Sequence, residues 1–137
     1  MQLKVLCALV AAAFALTACN KSETQAEVQR DVTKAEADGQ RDVADARADA
    51  KEANADADKN VADAIADNDS DDVADQAHDA NETADEGQTK IRLAQAEAEH
   101  KVAVEKCDAL TGAAQKECKD DADQLLEQAK DRAKNNR

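Results

Sequence analysis

The sequence predicts an all-α protein: elongated, alanine-rich helices ending in a disulfide-linked αα-hairpin, with part of the acidic half frayed or disordered. Three observations predict it. Among 137 residues there is no proline and only three glycines, so helix breakers are almost absent. Beyond residue 18 the chain has no aromatic residue and only thirteen Val, Leu and Ile, against 27 alanines. That supply of large side chains is too small for the core and pocket of a conventional enzyme, and no catalytic activity is expected. Finally, Cys107 and Cys118 lie on either side of a Thr111-Gly112 turn signal, where a reversal would set them opposite one another.

Residues 1–18 form the first element. Lys4 supplies a positive amino-terminal region, and the apolar run of residues 5–16 follows. A run this short falls below the roughly 20 residues of a membrane-spanning helix and reads as a signal sequence. Leu16-Thr17-Ala18-Cys19 resembles the lipobox of bacterial lipoproteins. The resemblance implies diacylglycerol on the Cys19 sulfur, cleavage before Cys19, and a further fatty-acid chain such as palmitate on the freed amine. Two or three chains anchor stably where one does not. Cys7 departs with the signal peptide. The implied partner is membrane lipid, and the implied location is the cell envelope, facing the periplasm. Asn20, after the cysteine, favours the outer membrane, whereas Lys21-Ser22 resembles an inner-membrane retention signal of pseudomonad-like lineages.

Residues 19–30 are expected to form the anchor and a polar tether. Residues 31–86 carry 19 acidic and five basic residues; residues 87–137 carry ten of each. The charge break suggests an acidic stalk followed by a separate helical hairpin. Within the stalk, RDVTKAEAD at 30–38 and RDVADARAD at 41–49 repeat after eleven residues, and KNVADAIAD at 59–67 echoes the second copy. Eleven residues return a helix nearly to its starting face. Val28, Val32, Val43, Val61 and Ile65, with Ala35, Ala46, Ala50, Ala53, Ala57 and Ala64, therefore share one thin stripe. The repeat resembles those of desiccation-protective and apolipoprotein-like helices. A solvated helix without a partner is the plainer expectation.

Asp67, Asp69 and Asp71 alternate as in an EF-hand loop, but Asp72 stands where the loop needs glycine and His78 where it needs glutamate. A polar helix break is the better reading, and no metal site is assigned.

In residues 87–137, one continuous helix would hold Cys107 and Cys118 ~16 Å apart, too far for a bridge. A reversal at Gly112 brings them together. It also sets Leu93, Ala96, His100, Ala103, Cys107 and Leu110 against Ala114, Cys118, Ala122, Leu125, Ala129 and Ala133, with His100 facing Leu125. A bridge between two copies and free thiols are the rival arrangements. A second stripe, Ile91, Ala98, Val102 and Ala109, is expected to dock the acidic helix or a partner. The segment CDALTGAAQKEC at 107–118 resembles a motif of small proteobacterial envelope proteins and implies no chemistry.

No cofactor, nucleic acid or small-molecule substrate is expected: the chain lacks a phosphate-binding glycine loop and a basic–aromatic patch, and its net charge is −13. In plan it resembles the murein lipoprotein, a lipid anchor followed by an alanine-containing coiled coil. It departs from that family at the carboxyl terminus, where Asn135-Asn136-Arg137 replaces the lysine that links to peptidoglycan. The expected role is a structural or interaction lipoprotein with an envelope protein partner. The alternatives are an envelope stress protectant and a module binding a divalent cation or a partner.

Overall fold

The structure is a computed structural model that describes residues 23–68 and 70–135. It contains three helices: α1 (Gln25–Asp67), α2 (Ser70–Cys107) and α3 (Gly112–Asn135). The expected lipid-attachment residue, Cys19, lies outside the described residues, as do Asp69, Asn136 and Arg137.

α1 begins earlier than its charge pattern suggested, within the expected tether, because a capping box starts it. The Thr24 backbone N–H donates to Glu27 Oε2 at 2.9 Å, and the Glu27 N–H donates to Thr24 Oγ1 at 3.3 Å. Two otherwise orphaned donors are satisfied by one pair of side chains. At the other end Asn68 adopts a left-handed conformation (φ 58°) and its N–H donates to the Ile65 carbonyl at 3.2 Å. Asparagine tolerates that region better than most residues. The polar break is thus a hairpin turn, and α2 returns along α1.

The α1–α2 seam follows an eleven-residue repeat on both helices. On α1 the seam runs through Val28, Val32, Ala35, Gly39, Val43, Ala46, Ala50, Asn54, Ala57, Val61 and Ala64, each buried or half-buried. They step by 4-3-4 and then start again. Ala53 and Ile65, expected in the stripe, are exposed; Ile65 is 61% accessible. On α2 the matching series runs through Ala80, Gly87, Ile91, Ala94, Ala98 and Val102. The acidic helix therefore has a partner, and it docks on Ile91, Ala98 and Val102 of the second stripe; Ala109, expected in that stripe, lies beyond the end of α2 and is exposed.

The seam is closed by contacts too tight for a larger side chain. A Cβ placed on Gly39 would lie 2.6 Å from Ala98 Cβ, and one on Gly87 would lie 2.9 Å from Ala50 Cβ. Counted outward from the Asn68–Asp69 bond, Gly39 and Ala98 are each 29 residues away, and Ala50 and Gly87 each 18. Each helix supplies one glycine and one alanine, in exchanged roles. Methyl-sized side chains bury little area each, so close backbone approach and dispersion replace large apolar contacts.

α3 packs on α2 alone; α1 and α3 do not pack on one another. The reason lies on the α2 wheel. Gly87 and Ala98 face α1, whereas Thr89, Ala96 and Cys107 are buried against α3. At about 100° per residue these two sets point roughly 180–200° apart. The molecule is one open layer of three helices with α2 in the middle. Gly87, where the charge balance changes, lies inside α2, so the change of composition does not coincide with a helix end.

Candidate functional site

The groups that could carry function are spread along the layer. Cys107 and Cys118 form a disulfide within the chain with a Cα–Cα distance of 5.7 Å, and Cys107 is 1% accessible. The turn between them is short because Leu110, Ala109 and Asp108 donate to carbonyls three residues earlier. Gly112 then opens α3 with φ 62°, a left-handed value that favours glycine.

Sequence reasoning missed a carboxylate that ties this turn together. Asp108 accepts from Gln115 Nε2 at 2.7 Å and pairs with Lys119 Nζ at 2.7 Å. The signal was available: each cysteine is followed directly by one member of the Asp108–Lys119 pair.

Beyond the turn, the α3 face departs from the expected register. Ala122 and Ala133 are buried and Leu126 and Ala129 half-buried, whereas Leu125 is 61% accessible. Leu125 therefore does not face His100. His100 Nε2 instead lies 2.6 Å from Asp123 Oδ1. The physical reason is the period: Cys118 to Ala129 and Ala122 to Ala133 are both eleven-residue steps, and a heptad places Leu125 where this repeat places Leu126. Leu110 and Ala114 are exposed, so the seam stops at the disulfide. Farther along, Thr89 Oγ1 donates to the Asp85 carbonyl at 2.9 Å and approaches the Ala133 carbonyl at 3.5 Å.

The amino-terminal end of α1 sits beside the α2–α3 turn. Desolvation, then the nearby carboxylates of Asp31, Asp108, Glu105 and Glu27, raise the Glu23 carboxyl above its ordinary range. The hydrogen bond from the Thr24 backbone, then that from its side chain, lowers Glu27. Between α1 and α2, Lys101 Nζ donates to Asp42 Oδ2 at 2.7 Å, and this bond raises the ammonium above the usual lysine range.

Two groups among the described residues place three possible cation ligands close together: His78, Asp79 and Glu82, and Glu23, Asp31 and Glu105. The side chains of His78 and Asp79 are 81% and 71% accessible, so the first group is a solvated helix face. The groove lined by Gly39, Val43, Ala98 and Val102 is open to solvent. No helix among the described residues is long and apolar enough to cross a membrane. No protein-family model matches the chain, and no curated protein or solved structure shows detectable similarity to it.

Proposed function

We propose that this chain is a lipid-anchored, periplasm-facing structural or interaction lipoprotein without catalytic activity. The observation that carries the reading is the polarity of the molecule. Thr24, five residues after Cys19, caps α1 at the end where α2 meets α3. With 43 residues, α1 extends about 65 Å from there to the Asn68 turn. Residues 45–86, which make up the far half of the α1–α2 hairpin, hold fifteen acidic and three basic residues. An acylated Cys19 would set the disulfide-closed end against the membrane and hold the acidic end away from it, where an envelope protein partner with basic surface would meet it.

The test is fractionation of cells expressing the wild type or Cys19→Ser. The wild type should be cleaved, labelled by palmitate and recovered with the outer membrane; Cys19→Ser should stay an unlabelled precursor. Equal palmitate incorporation into both would overturn the anchor.

A second reading, a stress protectant, is favoured by the eleven-residue repeat, which extends through α1 and α2. Circular dichroism separates the two. Full helicity in dilute buffer supports the structural role, and helix gained only on drying or on lipid supports the protectant.

A further inference from the structure

The α1–α2 hairpin and its repeat lead to a specific partner: a second copy of the chain. The repeat does not restart after the turn. Val61 of α1 lies 22 residues before Thr83 and 33 before Ala94, and Asn54 lies 22 before Gln76 and 33 before Gly87. All these separations are multiples of eleven, and all six positions are buried or half-buried on the α1–α2 face. In the frame of the repeat, the two halves of the seam continue a single stripe.

We propose that the chain, when released from the membrane that holds it by one end, opens at Asn68 and pairs with a second copy in an antiparallel exchanged dimer whose two amino termini lie at opposite ends. α1 and α2 then join into one helix over residues 25–107, about 125 Å long. The Gly39–Ala98 and Ala50–Gly87 contacts are symmetric about the Asn68–Asp69 bond, so the exchanged form rebuilds them between chains, Gly39 meeting the second copy's Ala98 and Ala50 its Gly87. The Asp42–Lys101 bond then also joins one chain to the other. Nothing in the α2–α3 unit has to change. α3 touches only α2 and is bonded to it through Cys107–Cys118, so the two move together. Only the turn differs between the two forms, and there the left-handed Asn68 becomes an ordinary helical residue. Exchange of identical elements through one hinge is a low-cost route to a dimer.

The same turn explains what holds the closed hairpin. Asp67, Asp69, Asp71 and Asp72 flank Asn68. At the centre of the exchanged dimer two such sets meet across the twofold axis and repel. Screening by salt weakens that repulsion, so high ionic strength favours exchange and low ionic strength the monomer.

The experiment uses the full chain in detergent with its disulfide intact. Equal amounts of unlabelled and ¹⁵N-labelled protein are mixed, warmed through the unfolding transition, and cooled at low or high sodium chloride. A zero-length carbodiimide then joins Asp42 to Lys101, and the peptide pairs are weighed. Closed hairpins give only pairs of one isotope. Complete exchange gives mixed pairs in about half of all Asp42–Lys101 links, the statistical share for random pairing of two identical chains. Mixed pairs should rise at high salt. They should rise at least twofold in Asn68→Ala, which favours helix through the hinge, and fall in Asn68→Gly, which favours the turn. Single-isotope pairs alone, in both the wild type and Asn68→Ala at both salt concentrations, would overturn the proposal. Dimers whose Asp42–Lys101 links stay within one chain would overturn it equally, and mixed pairs insensitive to salt would remove the role given to the aspartates.

Discussion

Gly39 and Ala98 meet so closely that a single methyl group on Gly39 would lie 2.6 Å from the Ala98 Cβ and 3.2 Å from its Cα. Since the second atom is backbone, a side-chain rotation cannot relieve the contact; the helices must separate. The spacing of α1 and α2 is therefore set by the lack of a side chain at this point.

Gly39→Ala pits that clash against a gain in helix propensity. The propensity gain is about 1 kcal/mol, and overpacking a close interface costs roughly 1–3 kcal/mol. Urea unfolding should show net destabilisation, and Ala98→Gly in the same chain should recover part of it, because the glycine and alanine merely change sides. If Gly39→Ala alone stabilises the protein, the close approach is not a constraint.

Asn54 occupies a seam position between Ala50 and Ala57, and its Oδ1 is buried without a hydrogen-bond partner. Leaving a buried acceptor unsatisfied costs about 1–3 kcal/mol. Asn54→Ala should raise the melting temperature. It should also loosen register, since the repeat makes a slip of eleven residues the nearest competitor and one polar seam residue is a known register device. Broadened amide resonances along 50–61 in the variant would report the loosening; a lower melting temperature would refute the assignment.

Reduction of Cys107–Cys118 should release α3 before it disturbs α1. The bridge spans a sequence separation of 11, and loop-closure entropy for a ring of that size contributes about 3 kcal/mol. Leu126→Asp should reproduce part of the loss, whereas Leu125→Asp, on an exposed position, should leave α3 in place. Hydrogen exchange of residues 113–135 distinguishes the two; equal loss of protection in both variants would mean that α3 has no single buried face.

At the start of α1, two neighbouring carboxyl groups respond to pH in opposite senses. The Glu23 carboxyl is raised by the fold, so its contribution to stability is present in acid and is lost as pH rises through its raised value. The lowered Glu27 contributes above the ordinary carboxylate range and is lost as pH falls through its lowered value. Glu23→Gln should therefore increase amide protection of residues 26–32 near neutral pH and change nothing in strong acid. Equal effects at both pH values would show that charge is not the cause.

Much of this fold is legible in the sequence. The placing of Cys107 and Cys118 on either side of Gly112 indicates the α2–α3 hairpin, and the repeat at residues 30–49 sets out the α1 seam. The stripe of Ile91, Ala98, Val102 and Ala109 pointed to the acidic helix or a separate partner, and α1 fills it at Ile91, Ala98 and Val102. The α1–α2 hairpin itself went unread because Asn68 looks like one more polar residue among aspartates; only its left-handed backbone makes it a turn. The register of α3 was misread for a related reason. A heptad and an eleven-residue repeat share their first step from Cys118, to Ala122, and part only at Leu125 and Leu126, where both candidates are leucine. At the candidate site, the Asp108–Lys119 tie was written beside the cysteines, and Thr24–Glu27 has the capping-box spacing. The Asp42–Lys101 bond had no local signal, since the two residues are 59 apart in the chain.

The central place of α2 has a consequence for how disturbances travel. α1 and α3 lie on opposite flanks of one helix and have no contact of their own, so neither can sense a side-chain rearrangement in the other directly. What passes between them must pass as motion of α2 as a body, a roll or a slide. A substitution in the Gly39 seam and one in the Ala122 seam should consequently act as separate perturbations whose free energies add, within about 0.5 kcal/mol.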